Sequence, residues 1–149
     1  MEKFKIIVVE DDERYQGMIK DVVDTVFLPE DIKLYFAAKQ MSALALIMWH
    51  RVLGRDADVI VLDGVLSMGH GRNVLRVVGK VDPNYYNKIV IFTSQDYFEF
   101  FGLDKSDESD RELAVAAKTI PFICKSNLYG LLNVIENKLA SQCLTSVAT

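Results

Sequence analysis

Residues 5–12, Lys-Ile-Ile-Val-Val-Glu-Asp-Asp, join an uninterrupted apolar run to three consecutive carboxylates. Such a run, without alternation of polar and apolar side chains, predicts a parallel strand that is covered on both faces. In open α/β sheets, ligands bind beyond the carboxyl ends of such strands, where Glu10 and Asp11 would lie. Because clustered carboxylates repel one another, we expect a hard cation such as Mg²⁺ among them. The alternative is that Asp11 or Asp12 caps the helix that follows.

Size and composition exclude several classes of protein. The chain has 149 residues, of which 50% are hydrophobic and 26% charged, which is typical of one globular domain. A formal charge of −4 with scattered basic residues argues against nucleic acid as a direct partner. No apolar run reaches the length of a membrane span, so we expect no membrane partner. Cys124 and Cys143 are too few for a disulfide framework or a zinc site, which favours the cytoplasm.

Apolar runs and helical periodicities alternate along the chain. We predict helices at 12–27, 40–53, 72–81, near 111–118 and at 127–139, and further strands at 32–38, 58–62, 88–92 and 120–124. Residues 141–149 are expected to form a frayed tail after a single domain of residues 1–140. Five β-α repeats predict a doubly wound α/β fold, because parallel strands need helical crossovers.

Polar residues stop the later strands as well. Asp63 follows Val59-Ile60-Val61-Leu62, Thr93 follows the fourth strand and Lys125 follows the fifth. The carboxyl ends of parallel strands meet at one edge, so three acids, a hydroxyl and an amine would meet there. That set suits a phosphoryl group together with a divalent cation.

With these residues in place, the chain resembles the receiver domain of two-component response regulators over roughly residues 3–140. The acid pair, Asp, Thr and Lys each follow an apolar strand in the order that the family has. The resemblance implies a flavodoxin-like, five-stranded parallel sheet of order 2-1-3-4-5, a (βα)₅ fold.

The resemblance also implies a role for each site residue. Asp63 looks like the phosphoacceptor, Thr93 and Lys125 like the residues that contact the phosphoryl group, and Phe122 like the aromatic switch, with a core Phe as its alternative. The metal ligands would be Glu10, Asp11, Asp63 and the backbone carbonyl of Val65, with Mg²⁺ as the cation and Mn²⁺ as a substitute. Taking Asp11 and Asp12 as the acid pair is the other register. Val65 and Gln95 occupy positions that tune phosphoryl lifetime.

The sequence departs from the family pattern in three places. Ser126 and Ser67 stand where the family usually has proline, so the Lys125-Ser126 peptide is either an enforced cis bond or trans, and the loop after Asp63 is expected to be looser. Thr93 and Lys125 are 125 − 93 = 32 positions apart. This is roughly ten more than the family pattern, and long loops are often functional. The extra length lies near the aromatic residues 97–101, which would form either a docking or dimerising element or a short helix that covers the core. His70 is expected to be a surface residue of the loop after Asp63.

The expected function is signalling through protein contact rather than conventional enzymology. A histidine kinase or phosphotransfer protein would phosphorylate Asp63, and a conformational shift would then reach a downstream protein target, with homodimerisation left open. The alternative is a phosphorylation-independent interaction or dimerisation module with the same fold. A flavodoxin-like or hydrolytic enzyme is a third interpretation, but no glycine-rich phosphate loop follows the first strand.

Overall fold

The computed structural model describes residues 3–102, 113–114 and 117–148, and side chains as far as residue 142. Its centre is a parallel sheet of five strands, in the order 2-1-3-4-5 that the resemblance to receiver domains implied. The strands are β1 (Phe4–Val9), β2 (Ile32–Ala37), β3 (Val59–Leu62), β4 (Ile89–Thr93) and β5 (Phe122–Cys124). The flavodoxin-like doubly wound fold is therefore confirmed.

Helices connect the strands and cover the two faces of the sheet. They are α1 (Glu13–Val26), α2 (Gln40–Val52), α3 (Gly71–Val81), a 3₁₀ helix (Pro83–Lys88), α4 (Tyr97–Phe101) and α5 (Leu128–Ala148). Of the helix predicted at 111–118, the structure describes Leu113, Ala114 and Ala117, which are helical, and Lys118, which lies in a turn; residues 111–112 and 115–116 lie outside the described residues. In the described part of the chain, no helix is both long and apolar enough to cross a membrane.

Successive side chains of the central strands point to opposite faces and build two cores. Ile7, Val9, Ile60 and Leu62 pack with buried residues of α2 and α3 on one face. Ile6 and Val8 pack on the other face with buried residues of α1 and α5. This double coverage explains why residues 6–9 of β1 and all of β3 are apolar and buried.

The carboxyl-terminal segment corrects one prediction. Residues 140–148 continue α5 to Ala148, so the helix runs beyond its predicted end at Leu139. Two side chains of α5 donate hydrogen bonds to distant parts of the chain. Lys138 Nζ donates to the Asn87 carbonyl at 2.6 Å, and Gln142 Nε2 donates to the Asp58 carbonyl at 2.7 Å. We predicted the helix end from the periodicity of apolar residues, which does not report such long-range hydrogen bonds. The division into a domain of residues 1–140 and a tail remains a prediction.

Smaller differences occur at the ends of other elements. The 3₁₀ helix Pro83–Lys88 was not predicted, and it delays the start of β4 to Ile89. Its first turn is capped by Asp82, whose carboxylate accepts the Asn84 N–H at 2.9 Å. β5 is shorter than predicted and begins at Phe122. None of these differences moves a strand's carboxyl end by more than one residue, so the edge that carries the polar residues is as expected.

Candidate phosphoryl and metal site

The register of the sheet brings the polar residues together. Val9 pairs with Leu62, so the next residues, Glu10 and Asp63, lie side by side beyond β1 and β3. Thr93 pairs with Cys124, so Lys125 follows one position beyond Thr93. The strand ends alone therefore position the predicted residues at one edge of the sheet.

Three carboxylates at this edge form a compact group. Glu10 is 1% exposed and Asp63 is 2% exposed, whereas Asp11 is half-buried. One carboxylate oxygen of each lies within 4.8 Å of the others. Clustered carboxylate oxygens are the ligands that Mg²⁺ and Mn²⁺ prefer, so this donor set fits a divalent cation. We call Glu10, Asp11, Asp63 and Lys125 the acidic edge.

Lys125 is the cation that the acidic edge contains. Its Nζ lies 2.8 Å from Asp63 Oδ2 and 2.9 Å from Glu10 Oε2, and 4.3 Å from the centre of the Tyr15 ring. Burial lowers the pKa of Lys125, but hydrogen bonds to Asp63 and Glu10 outweigh burial and raise the pKa above its ordinary value. The amine is therefore charged at neutral pH and offsets part of the negative charge of the acids.

The pKa of Glu10 is also raised, but for a carboxyl group this favours the uncharged form. Burial raises the pKa of Glu10 from 4.5 to about 7; the hydrogen bond from Lys125 lowers it and the charge of Asp63 raises it again. Glu10 is held in place by the Asp12 N–H, which donates to Oε1 at 3.1 Å, and by Gln16 Nε2, which donates to its backbone carbonyl at 2.7 Å. Without a divalent cation, Glu10 is thus partly protonated near neutral pH.

Asp12 has a different role from its two neighbours. It is the N-cap of α1, and its carboxylate accepts the Arg14 N–H at 2.9 Å and pairs with the Arg14 guanidinium at 2.9 Å. The hydrogen bond from the Arg14 side chain lowers the pKa of Asp12 to about 2. Asp12 therefore caps the helix, as the alternative interpretation predicted, while Glu10 and Asp11 lie in one group with Asp63. The geometry favours Glu10 and Asp11 over Asp11 and Asp12 as the acid pair.

Asp63 is oriented from its own loop as well as by Lys125. The Gly64 N–H donates to Asp63 Oδ1 at 2.7 Å, while Oδ2 accepts from Lys125. Gly71 must be small because a Cβ there would collide with the Asp63 carbonyl. One oxygen is thus fixed by the backbone and the other by a cation, which leaves the carboxylate a single orientation.

Thr93, Gln95 and Val65 surround this centre. Thr93 is fully buried, and its Oγ1 accepts the Gln95 N–H at 3.2 Å. The Val65 side chain is 51% exposed, and Val65 forms an isolated antiparallel bridge with His70. The roles of these residues toward a phosphoryl group remain predictions.

Phe122 lies within a cluster of aromatic rings, which we call the aromatic flank (Tyr97, Phe100, Phe101 and Phe122). Its ring is 5.7 Å from Tyr97, 5.9 Å from Phe100 and 6.3 Å from Phe101, measured between centroids. Phe100 and Phe101 are buried and Phe98 is 83% exposed. The structure therefore supports the covering helix for Phe100 and Phe101, and only Phe98 has the exposure that docking needs. Residues 103–110 of the extra segment lie outside the described residues.

The structure describes both positions at which serine stands where the family usually has proline. The Lys125-Ser126 peptide is trans, and Lys125 still reaches Asp63. Ser67 Oγ donates to the Ala38 carbonyl at 3.2 Å, which ties the loop after Asp63 to the end of β2.

Two residues near the site were missed by sequence reasoning. Tyr15 was predicted only as part of the apolar face of α1, but its ring lies beneath Lys125. His70 is not a surface loop residue: it is half-buried and caps α3, and its ring contacts Gln95 and Phe100. Burial, followed by the charge of Arg72, lowers the pKa of His70. A His directly before a helix start was the available signal for the cap.

Comparisons with known proteins identify the fold. Neither a protein-family model nor a curated protein sequence matches the chain. A CheY-like response regulator receiver domain from Methanospirillum hungatei JF-1 superposes with a TM-score of 0.67 at 20% identity, covering 95% of this chain and 97% of that one. This chain has the fold of a response regulator receiver domain.

Two further receiver structures carry information about their own sites. The phosphorylated cyanobacterial phytochrome response regulator RcpA matches with a TM-score of 0.63 and 20% identity, over 91% of each chain. The Mn²⁺-bound form of the response regulator Rcp1 matches with a TM-score of 0.62 and 19% identity, over 89% of this chain and 91% of that one. At these sequence identities, the likeness to receivers shows a shared fold and nothing further.

Proposed function

We propose that this chain is a signalling receiver that accepts a phosphoryl group on Asp63 from a histidine kinase or a histidine phosphotransfer protein. The observation that carries the proposal is the Asp63 carboxylate itself: buried, fixed by the Gly64 N–H at 2.7 Å and by Lys125 Nζ at 2.8 Å, and grouped with Glu10 and Asp11. A capping or loop aspartate would not require that set of partners.

The chemistry is in-line transfer from phosphohistidine. A carboxylate oxygen of Asp63 forms a bond to phosphorus as the bond from phosphorus to the histidine nitrogen breaks, and the electron pair and a proton remain with the departing imidazole. Lys125 offsets the negative charge that would otherwise keep the anionic donor away from Asp63. Glu10, Asp11, Asp63 and the Val65 carbonyl would hold Mg²⁺, or Mn²⁺ in its place, which when bound neutralises charge on the transferring phosphoryl oxygens.

The resulting aspartyl phosphate would act on the residues around it. It adds close to two negative charges and new acceptor oxygens at Asp63. The Thr93 hydroxyl, which now accepts from the Gln95 N–H, can turn to donate to these oxygens. Movement of Thr93 would give Phe122 room to rotate within the aromatic flank and shift the population of the surface formed by α4, β5 and α5.

The proposed output is a contact with a downstream protein rather than turnover of a substrate. The acidic net charge supports a protein partner over nucleic acid. The proposed setting is the cytoplasm, where Cys124 and Cys143 would stay reduced. Val65 and Gln95 are proposed to tune the lifetime of the phosphoryl group; decay at the native rate in both Val65→Ala and Gln95→Ala variants would refute that part.

Intact mass spectrometry tests the proposal. The native chain is incubated with a small phosphodonor such as acetyl phosphate, with Mg²⁺ or with EDTA, beside Asp63→Asn and a control, Asp31→Asn, at an exposed acid. We expect one phosphoryl adduct that requires Mg²⁺, persists in Asp31→Asn and disappears in Asp63→Asn. A folded native chain without an adduct would instead favour a phosphorylation-independent interaction module.

A further inference from the structure

A side-chain bridge connects the loop after β3 to the loop after β4. His70 Nδ1 accepts the Arg72 N–H at 3.0 Å, so the ring hydrogen is on Nε2. Nε2 lies 3.0 Å from Gln95 Oε1 and therefore donates to it. The bridge thus joins the loop of Asp63 to the loop that follows Thr93.

This bridge holds the Gln95 amide against the residue next to the phosphoacceptor. A Cβ at Gly64 would collide with Gln95 Oε1 and would lie 2.7 Å from Phe100 Cδ2. Gly64 in turn donates its N–H to Asp63 Oδ1. The Gln95 amide and the Phe100 ring therefore cover the Gly64 side of Asp63.

His70 is itself held in two ways. Its ring packs edge-to-face on buried Phe100, with centroids 5.4 Å apart, and Nδ1 caps α3. A ring fixed at both the helix and the aromatic flank has little freedom, so it restricts Gln95 more than a water molecule would. In the absence of the bridge, nothing in the described contacts of the Gln95 amide would hold its oxygen over Gly64.

We infer that His70 is a positioning residue that sets the lifetime of the phosphoryl group on Asp63, by holding Gln95 over the path of the attacking water. The inference rests on the proposed function. In hydrolysis, the water oxygen bonds to phosphorus as the bond from phosphorus to the Asp63 oxygen breaks; the carboxylate leaves, and the water proton passes to solvent or to the released phosphate. Restricting water on the Gly64 side slows this step.

The test is the decay of the adduct after the donor is removed, in the native chain, His70→Ala, His70→Asn, Gln95→Ala and the double variant His70→Ala/Gln95→Ala. His70→Asn is the informative variant, because asparagine caps helices well but is too short to reach Gln95. Loss of one hydrogen bond predicts decay about fivefold faster in each single variant. Since His70 acts through Gln95, the double variant should also decay about fivefold faster, not about twenty-five-fold.

The possible failures are distinguishable. Native decay in His70→Asn would overturn the inference and assign any effect of His70→Ala to the lost helix cap. Multiplied effects in the double variant would overturn it as well, because His70 would then act independently of Gln95. Absence of an adduct in the native chain would overturn the proposed function together with this inference.

Discussion

The acidic edge and the aromatic flank are neighbouring buried regions held by different forces. Glu10, Asp63 and Lys125 are at most 9% exposed and satisfy one another as charges. Phe100 and Phe101 are at most 1% exposed and are held by ring packing. The stability of the acidic edge therefore depends on the pairing of every buried charge and on pH. The stability of the aromatic flank depends on close packing of its rings.

The largest effect is expected from Phe100→Ala in the aromatic flank. Removing a fully buried ring leaves a cavity and should lower the free energy of unfolding by about 4 kcal/mol. Urea denaturation at pH 8, where the neighbouring His70 is neutral, should give this loss, because packing and not charge is removed. Phe98→Ala is the matched control, since Phe98 is 83% exposed. A loss below about 1 kcal/mol for Phe100→Ala would show that the flank is not a packed core.

The next effect is expected from Lys125→Met at the acidic edge. It keeps the side-chain bulk but leaves two buried carboxylates without their cation, which should lower the free energy of unfolding by about 3 kcal/mol at pH 8 in EDTA. At pH 5 the loss should shrink, because Glu10 can take up a proton. Lys118→Met, at an exposed lysine, is the control. Equal losses at both pH values would contradict the paired-charge account.

These two positions also show what sequence could predict. Lys125, Glu10 and Asp63 each follow an apolar strand, and a parallel sheet brings such strand ends together whatever the loops do. For Phe100 the sequence left two alternatives open, a docking element or a helix that covers the core. Its burial depends on how a loop of unusual length folds back. The contact of His70 with Gln95 depends on two loop conformations at once, and α5, which runs past its predicted end, donates a hydrogen bond to a distant carbonyl. Local sequence patterns predict neither the contact of His70 with Gln95 nor the position at which α5 ends.

A smaller effect is expected from pH alone at Glu10. Because the pKa of Glu10 is about 7 in the folded chain against 4.5 ordinarily, the folded state binds the proton more tightly than the unfolded state. Its contribution to stability is complete below about pH 4.5 and is lost as the pH rises through about 7. In EDTA, the native chain should therefore lose about 2 kcal/mol relative to Glu10→Gln between pH 5 and pH 8.

The groups facing Glu10 are Asp63, Lys125 and the Asp12 N–H, and the variant leaves all three in place. Glu13→Gln, at an exposed acid in the first turn of α1, is the control and should follow the native curve. A native curve parallel to that of Glu10→Gln would contradict the raised pKa. Excess Mg²⁺ should reduce the difference at pH 8, since the ionised carboxylate would then have a cation.

The smallest effect on stability is expected from Phe98→Ala, which should stay within about 0.5 kcal/mol of the native chain. The Phe98→Ala variant mainly tests self-association. If this exposed ring of α4 docks to a second copy of the chain, analytical ultracentrifugation should show a weaker self-association than for the native chain. Identical sedimentation at every concentration would contradict a dimerising role for Phe98.

The account centres on Asp63 as the phosphoacceptor, and site mapping tests this most directly. The phosphorylated chain is treated with borohydride, which reduces an aspartyl phosphate to homoserine, and its peptides are sequenced by mass spectrometry. We predict homoserine at position 63 alone. Homoserine at position 11 or 12, the corresponding reduction product at Glu10, or a stable phosphoryl group on a hydroxyl residue would contradict the account.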